Sequence, residues 1–158
     1  SLLAYHLPLY AHPELGNNRQ LARVLGFSEP RATSAADGLV WRGQLPRPMT
    51  AAELAQDIER ALARPPLQVP AHTRAIEKVA WCTGAAQGYI EAAVAAGADA
   101  YITGEASEPA VHVAREEGIH FIAAGHHATE RYGVQALGEH IARTFPLEHR
   151  FIDIDNPV

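Results

Sequence analysis

The chain has 158 residues, enough for one domain with a sizeable core. Hydrophobic residues make up 47% and charged residues 20%, with a net charge of -5; this balance argues against disorder and offers no basic field to a nucleic-acid backbone. No apolar run approaches the ~20 residues that span a bilayer, and the single cysteine, Cys82, rules out an internal disulfide and fits a reducing, cytoplasmic setting.

The opening run SLLAYHLPLYAHP has neither a basic flank nor a small-residue cleavage site, so it does not read as a signal peptide. It starts at Ser1, without a methionine and directly in an apolar run, and we expect a further segment upstream. LLAYHLPLY (2–10) reads as a buried strand, with Pro8 arguing for an edge or an early end. NNRQLARVLG reads as a short helix capped by Asn17 or Asn18 and ended by Gly26. Residues 28–37 look loop-like, and GLVWRGQL reads as a strand. In TAAELAQDIERAL, Thr50 and Glu53 form a T-x-x-E capping box, and Leu54, Ile58 and Leu62 make an apolar stripe.

From there the chain has a rhythm. KVAWCTG, DAYITG and IHFIAAG are strands ending in Gly84, Gly104 and Gly125, each followed by a helical pattern; HRFIDI reads as a last strand. Strand, glycine turn and helix in succession predict an α/β fold, with a mostly parallel or mixed sheet flanked by helices in three layers. In such sheets the chemistry lies beyond the carboxyl ends of the strands. Those ends carry CTGAAQG, ITGEASE and AAGHHATE.

The third is the most informative. Val134, Leu137 and Ile141 follow Glu130 at steps of four, three and four, so Glu130 shares their helix face, and His126 lies four residues before it. A carboxylate turned toward a core costs several kcal/mol unless it is paired or meets a cation. A His and a Glu one turn apart can converge on one metal ion; the alternative is a first-turn acid favoured by the helix dipole. His127 is a further candidate ligand or a partner to one. Glu105, in TGE, is a candidate base, ligand or helix cap. CTGAAQG lacks the lysine and spacing of a phosphate loop and reads as a tight turn. His6, His12 and Glu14 stand near a strand end; His112 and His120 read as structural, and His72, His140 and His149 as surface positions. No G-x-S-x-G elbow is present, which argues against a serine hydrolase.

Taken together, YHLPLYAHPELGNN, VAWCTGAAQGYI, DAYITGE, IHFIAAGHHATERYGVQAL and FIDIDNPV resemble the Nif-three-like family, the dinuclear metal centre proteins also described as GTP cyclohydrolase 1 type 2-like. The resemblance implies two α/β lobes around a pair of divalent metals, and a toroidal homohexamer. By that resemblance, residues 1–28 and 122–158 belong to the first, metal-site lobe and 29–121 to the second, and the family's paired-histidine segment is absent. Its His and Glu ligands fall on His126 and Glu130. Its aspartate ligand falls on Tyr10, a poor substitute toward a hard divalent ion.

The expected function is therefore a metal-dependent hydrolase holding iron, zinc or manganese, with His126 and Glu130 as ligands. Glu105 would act as base or supporting acid, and His6 would orient a ligand or substrate such as a nucleotide or small anion. The alternative is a metal-binding regulatory or assembly protein without turnover. Neither membrane nor nucleic acid is an expected partner.

Overall fold

The computed structural model describes residues 2–158. Helices α1 (His6–Tyr10) and α2 (Asn17–Val24) precede β1 (Ser28–Ala32) and β2 (Trp41–Met49); α3 (Ala51–Leu62), β3 (Leu67–Val69) and β4 (Ile76–Trp81) follow. The chain then alternates through α4 (Ile90–Ala95), β5 (Ala100–Thr103), α5 (Glu108–Glu117), β6 (His120–Ala123) and α6 (His126–Thr144). The six strands form one sheet in the order β1-β2-β4-β5-β6-β3, parallel across β4, β5 and β6 and antiparallel elsewhere. The predicted mixed α/β sheet with helices on both faces is present.

Alternation along the strands sorts the core into two layers. Val79 and Trp81 of β4 face a cluster with Leu21, Leu54, Ile58 and Ala128 from α2, α3 and α6. Ala80 and Cys82 face the opposite cluster, with Ile90 and Ala93 of α4 and Ala110 and Ala114 of α5. The capping box forms as read: Thr50 Oγ1 accepts from the Glu53 amide, and Glu53 Oε2 accepts from the Thr50 amide at 2.8 Å.

Several local expectations fail for identifiable reasons. Part of the 2–10 run is helical: Pro8 sits in the first turn of α1, where its missing N–H would have had no partner. The edge strands β1 and β3 arise where no strand was expected; β1 carries a proline at the sheet edge, and β3 is only three residues long between prolines. Residues 149–154 form no strand. They lie along α6, the His149 ring against Gly138 and the Asp153 carboxylate on Arg131.

The buried face of α6 also differs from the one expected. It is Ala128, Thr129 and Gly133, while Val134 and Ile141 are 49% and 37% exposed. Small residues win that face because α2 approaches closely: Gly133 N donates to Asn17 Oδ1 at 3.1 Å, and any Cβ at Gly133 would collide with that amide. Glu130 therefore faces cavities beside the core rather than the core itself.

Candidate metal-binding site

The carboxyl ends of β4, β5 and β6 are laced together by backbone hydrogen bonds. Gly84 O accepts from Gly104 N at 2.9 Å and from Thr103 Oγ1 at 3.1 Å; Gly125 N donates to Gly104 O at 2.9 Å. From the first turn of α6, Thr129 Oγ1 accepts from Gly84 N at 3.0 Å. Two glycines permit this closeness. Gly84 has φ +68°, and a Cβ there would run into the Glu130 carboxylate; a Cβ on Gly104 would stand 2.7 Å from the His126 Cα.

His126 occupies the first helical position of α6, immediately after Gly125. Its Nδ1 lies 2.6 Å from Glu105 Oε1, and its Nε2 lies 3.2 Å from Glu130 Oε2. Side-chain exposures are 36% for His126, 34% for Glu105 and 20% for Glu130, so the trio lies at the wall of an open cleft. Burial lowers the imidazole's affinity for a proton. The Glu105 hydrogen bond and the charges of Glu130 and Glu105 outweigh it, and the His126 pKa is raised overall.

The sequence-derived residues thus converge to different degrees. His126, Glu130 and Glu105 form one cluster, and Glu105 reaches the imidazole instead of capping α5. His6 is exposed on α1, stacks on Tyr10 at 6.1 Å, and lines a cavity of ≈210 Å³ together with His126 and Glu130. His127 does not join the cluster; its Nε2 is 3.0 Å from Asp153 Oδ1, and it lines a neighbouring cavity shared with His126 and Glu130. His72 is half-buried against the buried His120 rather than on the surface, their nearest ring nitrogens 3.2 Å apart.

Sequence reasoning read Asn17 and Asn18 as helix caps, whereas Gly16 holds that position. Asn18 is fully buried, its Oδ1 accepting from Thr83 N at 3.1 Å and its Nδ2 donating to Leu39 O at 2.8 Å. It fixes the strand end that carries Gly84. Two asparagines opening an otherwise amphipathic helix were the available signal.

The donor set can be tested against a divalent ion. Ligands held about 2.0–2.2 Å from zinc stand roughly 3 Å apart, the spacing of His126 Nε2 and Glu130. Glu105 on Nδ1 fixes the tautomer that leaves Nε2 free, the usual support of a metal-bound histidine. Further donors are not supplied nearby. Tyr10 gives its one phenolic proton to the Thr83 carbonyl, so at the 3.5 Å contact with Cys82 the thiol is the donor. Burial holds the Tyr10 phenol protonated far above its ordinary range and pushes the Cys82 thiol up to about 11. Among the described residues no group of three or more His, Cys, Asp or Glu side chains could hold a metal ion. The pair fits one flank of a metal site, not a complete coordination shell.

A three-layer α/β domain with an imidazole–carboxylate pair at its strand ends is the class these features define. The chain belongs to the Duf34/NIF3 (NGG1p interacting factor 3) family, whose model matches residues 1–157. It is 58% identical over 157 residues to a GTP cyclohydrolase 1 type 2 homolog of Allochromatium vinosum, covering 99% of this chain and 62% of that protein. A homolog of the same description from Pseudomonas aeruginosa is 58% identical over 159 residues, covering 99% and 63%. Among solved structures, protein ybgI, of unknown function, superposes with a TM-score of 0.92 at 49% identity, covering 99% of this chain and 63% of that one. TTHA1606 from Thermus thermophilus gives 0.86 at 31% identity, covering 99% and 62%. The chain spans under two thirds of the length of these relatives. Among the described residues, no helix is long and apolar enough to cross a membrane.

Proposed function

We propose that this chain supplies one flank of a metal-dependent hydrolase centre acting on a nucleotide or other small anionic substrate. His126 Nε2 and Glu130 are the ligands to a divalent ion: iron, zinc or manganese, one or a pair. The reading rests on one observation, that these two donors stand 3.2 Å apart while Glu105 occupies the other imidazole nitrogen. A bound ion would lower the pKa of a coordinated water and supply the nucleophile. Glu105 orients His126; its 2.6 Å contact favours this over service as the base. His6, across the small cavity, contacts the ligand. The remaining ligands come from the portion of the relatives' length that this chain does not span, and the two-lobed subunit, the toroidal homohexamer and a cytoplasmic setting belong to the same reading.

A second reading is metal binding for assembly or regulation, without turnover. The hydrogen-bonded Tyr10 phenol favours it, because a neutral phenol committed to a carbonyl brings no charge to the ion. Metal analysis and nucleotide hydrolysis by the full-length protein, its Tyr10→Asp variant and its His126→Ala/Glu130→Ala variant separate the two. Turnover present in the parent or gained with Tyr10→Asp, and lost with the double variant, supports the enzyme. Metal retained in the first two without turnover supports the binder.

A further inference from the structure

The segment after α6, residues 146–158, has no regular secondary structure, yet it runs back along the helix toward the site. The His149 ring lies against Gly138, Asp153 reaches Arg131 and His127, and Val158 O accepts from His127 N at 3.3 Å. Between this strap and α6 lies a cavity of ≈470 Å³, lined by His126, Glu130, Arg131, Val134, Phe151 and Asn156 among others. One wall is therefore the His126–Glu130 pair, and the opposite wall is the strap.

Charge in this cavity is distributed unevenly. Glu130 is turned to His126, and Glu105 is on the far nitrogen of the same ring. That leaves Arg131 and His127 facing the strap, where Asp153 has Oδ2 2.8 Å from Arg131 Nη1 and Oδ1 3.0 Å from His127 Nε2, and where Val158 O accepts from His127 N. The Arg131 guanidinium is held beside the Tyr132 ring, 5.3 Å from its centroid, and its side chain is only 22% exposed. Asp153 is 43% exposed and sits on a strap with no hydrogen-bonded ladder to retain it. With the Asp153 half of the pair open to solvent, water screens the attraction, and another oxyanion displaces the carboxylate at modest cost. A planar guanidinium fork held in place suits a phosphate group better than a point charge does.

We propose that Arg131 and His127 form a phosphate-binding site at the mouth of the His126–Glu130 cavity, which Asp153 fills until a phosphate-bearing ligand displaces it. The strap is then the movable wall, and Arg131 places the ligand's phosphate in the cavity that the candidate metal pair also lines. Val134 and Phe151 offer apolar surface to the remainder of the ligand. This deepens the hydrolase reading and rests on it for the ligand's purpose, while the binding event itself is separable.

The test is titration of the chain, with chelator present, with inorganic phosphate. It is followed by chemical shifts of the Arg131 side chain and of the amides of residues 149–158. Phosphate is expected to perturb Arg131 and to shift the amide resonances around Asp153 in the strap. Arg131→Gln is expected to weaken binding at least about tenfold, with Arg131→Lys intermediate. Asp153→Asn, an exposed change that spares the fold, is expected to tighten binding up to about fivefold by removing the competitor. Unchanged binding in Arg131→Gln, weaker binding in Asp153→Asn, or no response of the strap overturns the proposal. The chelator keeps any divalent ion out of this titration, and metal content is measured separately without it. Failure of the metal reading therefore shows as a metal result, and failure of this one as a phosphate result.

Discussion

Glu105, in the loop after β5, and His126, at the first position of α6 and 21 residues further on, meet through a 2.6 Å contact between Oε1 and Nδ1. The contact settles which nitrogen of His126 is committed and which is open to Glu130. It exists because β5 and β6 are adjacent and parallel, and because Gly104 lets the α6 backbone approach to contact distance. Glu105→Gln keeps the shape and removes the charge. The His126 pKa is then expected to fall, read from its ring proton shifts across a pH titration of the metal-free chain; an unchanged value would mean that the contact does not hold the ring in solution.

Gly84→Ala introduces a methyl group into the space of the Glu130 carboxylate at a backbone angle of φ +68°. Left-handed strain alone costs about 1–2 kcal/mol. We expect a lower Tm and a displaced Glu130, seen as reduced metal uptake. Full stability and full uptake would show that the two residues are not in contact.

Asn18→Ala leaves the buried Thr83 amide and the part-buried Leu39 carbonyl without their partners. At about 1–3 kcal/mol for the buried amide and less for the part-buried carbonyl, a loss of about 2–4 kcal/mol is expected in urea unfolding. Asn18 Oδ1 is an acceptor for the strand end bearing Gly84, so amide shifts at Thr83 and Gly84 are expected to move as well. A loss below about 0.5 kcal/mol, the level of an ordinary surface change, would contradict the assigned role.

His120 gives the chain an acid-sensitive element away from the site. Its Nδ1 accepts from Ala71 N at 3.3 Å, so its hydrogen sits on Nε2 and donates to His72 Nδ1. Burial, and then the charge of His72, lower its pKa. A histidine that resists protonation when folded adds stability that is complete above its unfolded pKa of about 6.5 and is lost as the pH falls through that value toward the folded pKa. The urea midpoint of the parent is expected to drop between roughly pH 7.5 and pH 5 by more than that of His120→Gln. Equal drops would remove His120 from the account.

Much of this was legible from the chain. The strand, glycine and helix succession from Lys78 onward predicts the parallel centre of the sheet, because apolar runs of four to seven residues ended by glycine leave few other solutions. Thr50 and Glu53 announce α3 through a local, reciprocal pair of hydrogen bonds. The candidate site was legible as a place, the carboxyl ends of the strands, and the proximity of His126 to Glu130 was legible because a helix fixes residues four apart. What was not legible depends on partners distant in sequence. Asn17 and Asn18 look like caps until Gly133 and Thr83 are seen beside them. The alternating apolar pattern of 149–154 reads as a strand, yet no sheet edge receives it. The apolar row of Val134, Leu137 and Ile141 suggests a core-facing stripe, but close packing against α2 selects the small residues on another face. A five-residue helix such as α1 carries too little pattern to be told from a strand.

The central claim is that His126 and Glu130 hold a divalent ion between them. The most direct measurement is the metal content of the purified full-length protein, by plasma mass spectrometry, beside that of His126→Ala/Glu130→Ala prepared identically and shown to fold. The account predicts bound iron, zinc or manganese in the parent and loss of most of it in the variant. Equal metal in both, or none in the parent after reconstitution with each ion in turn, would contradict it.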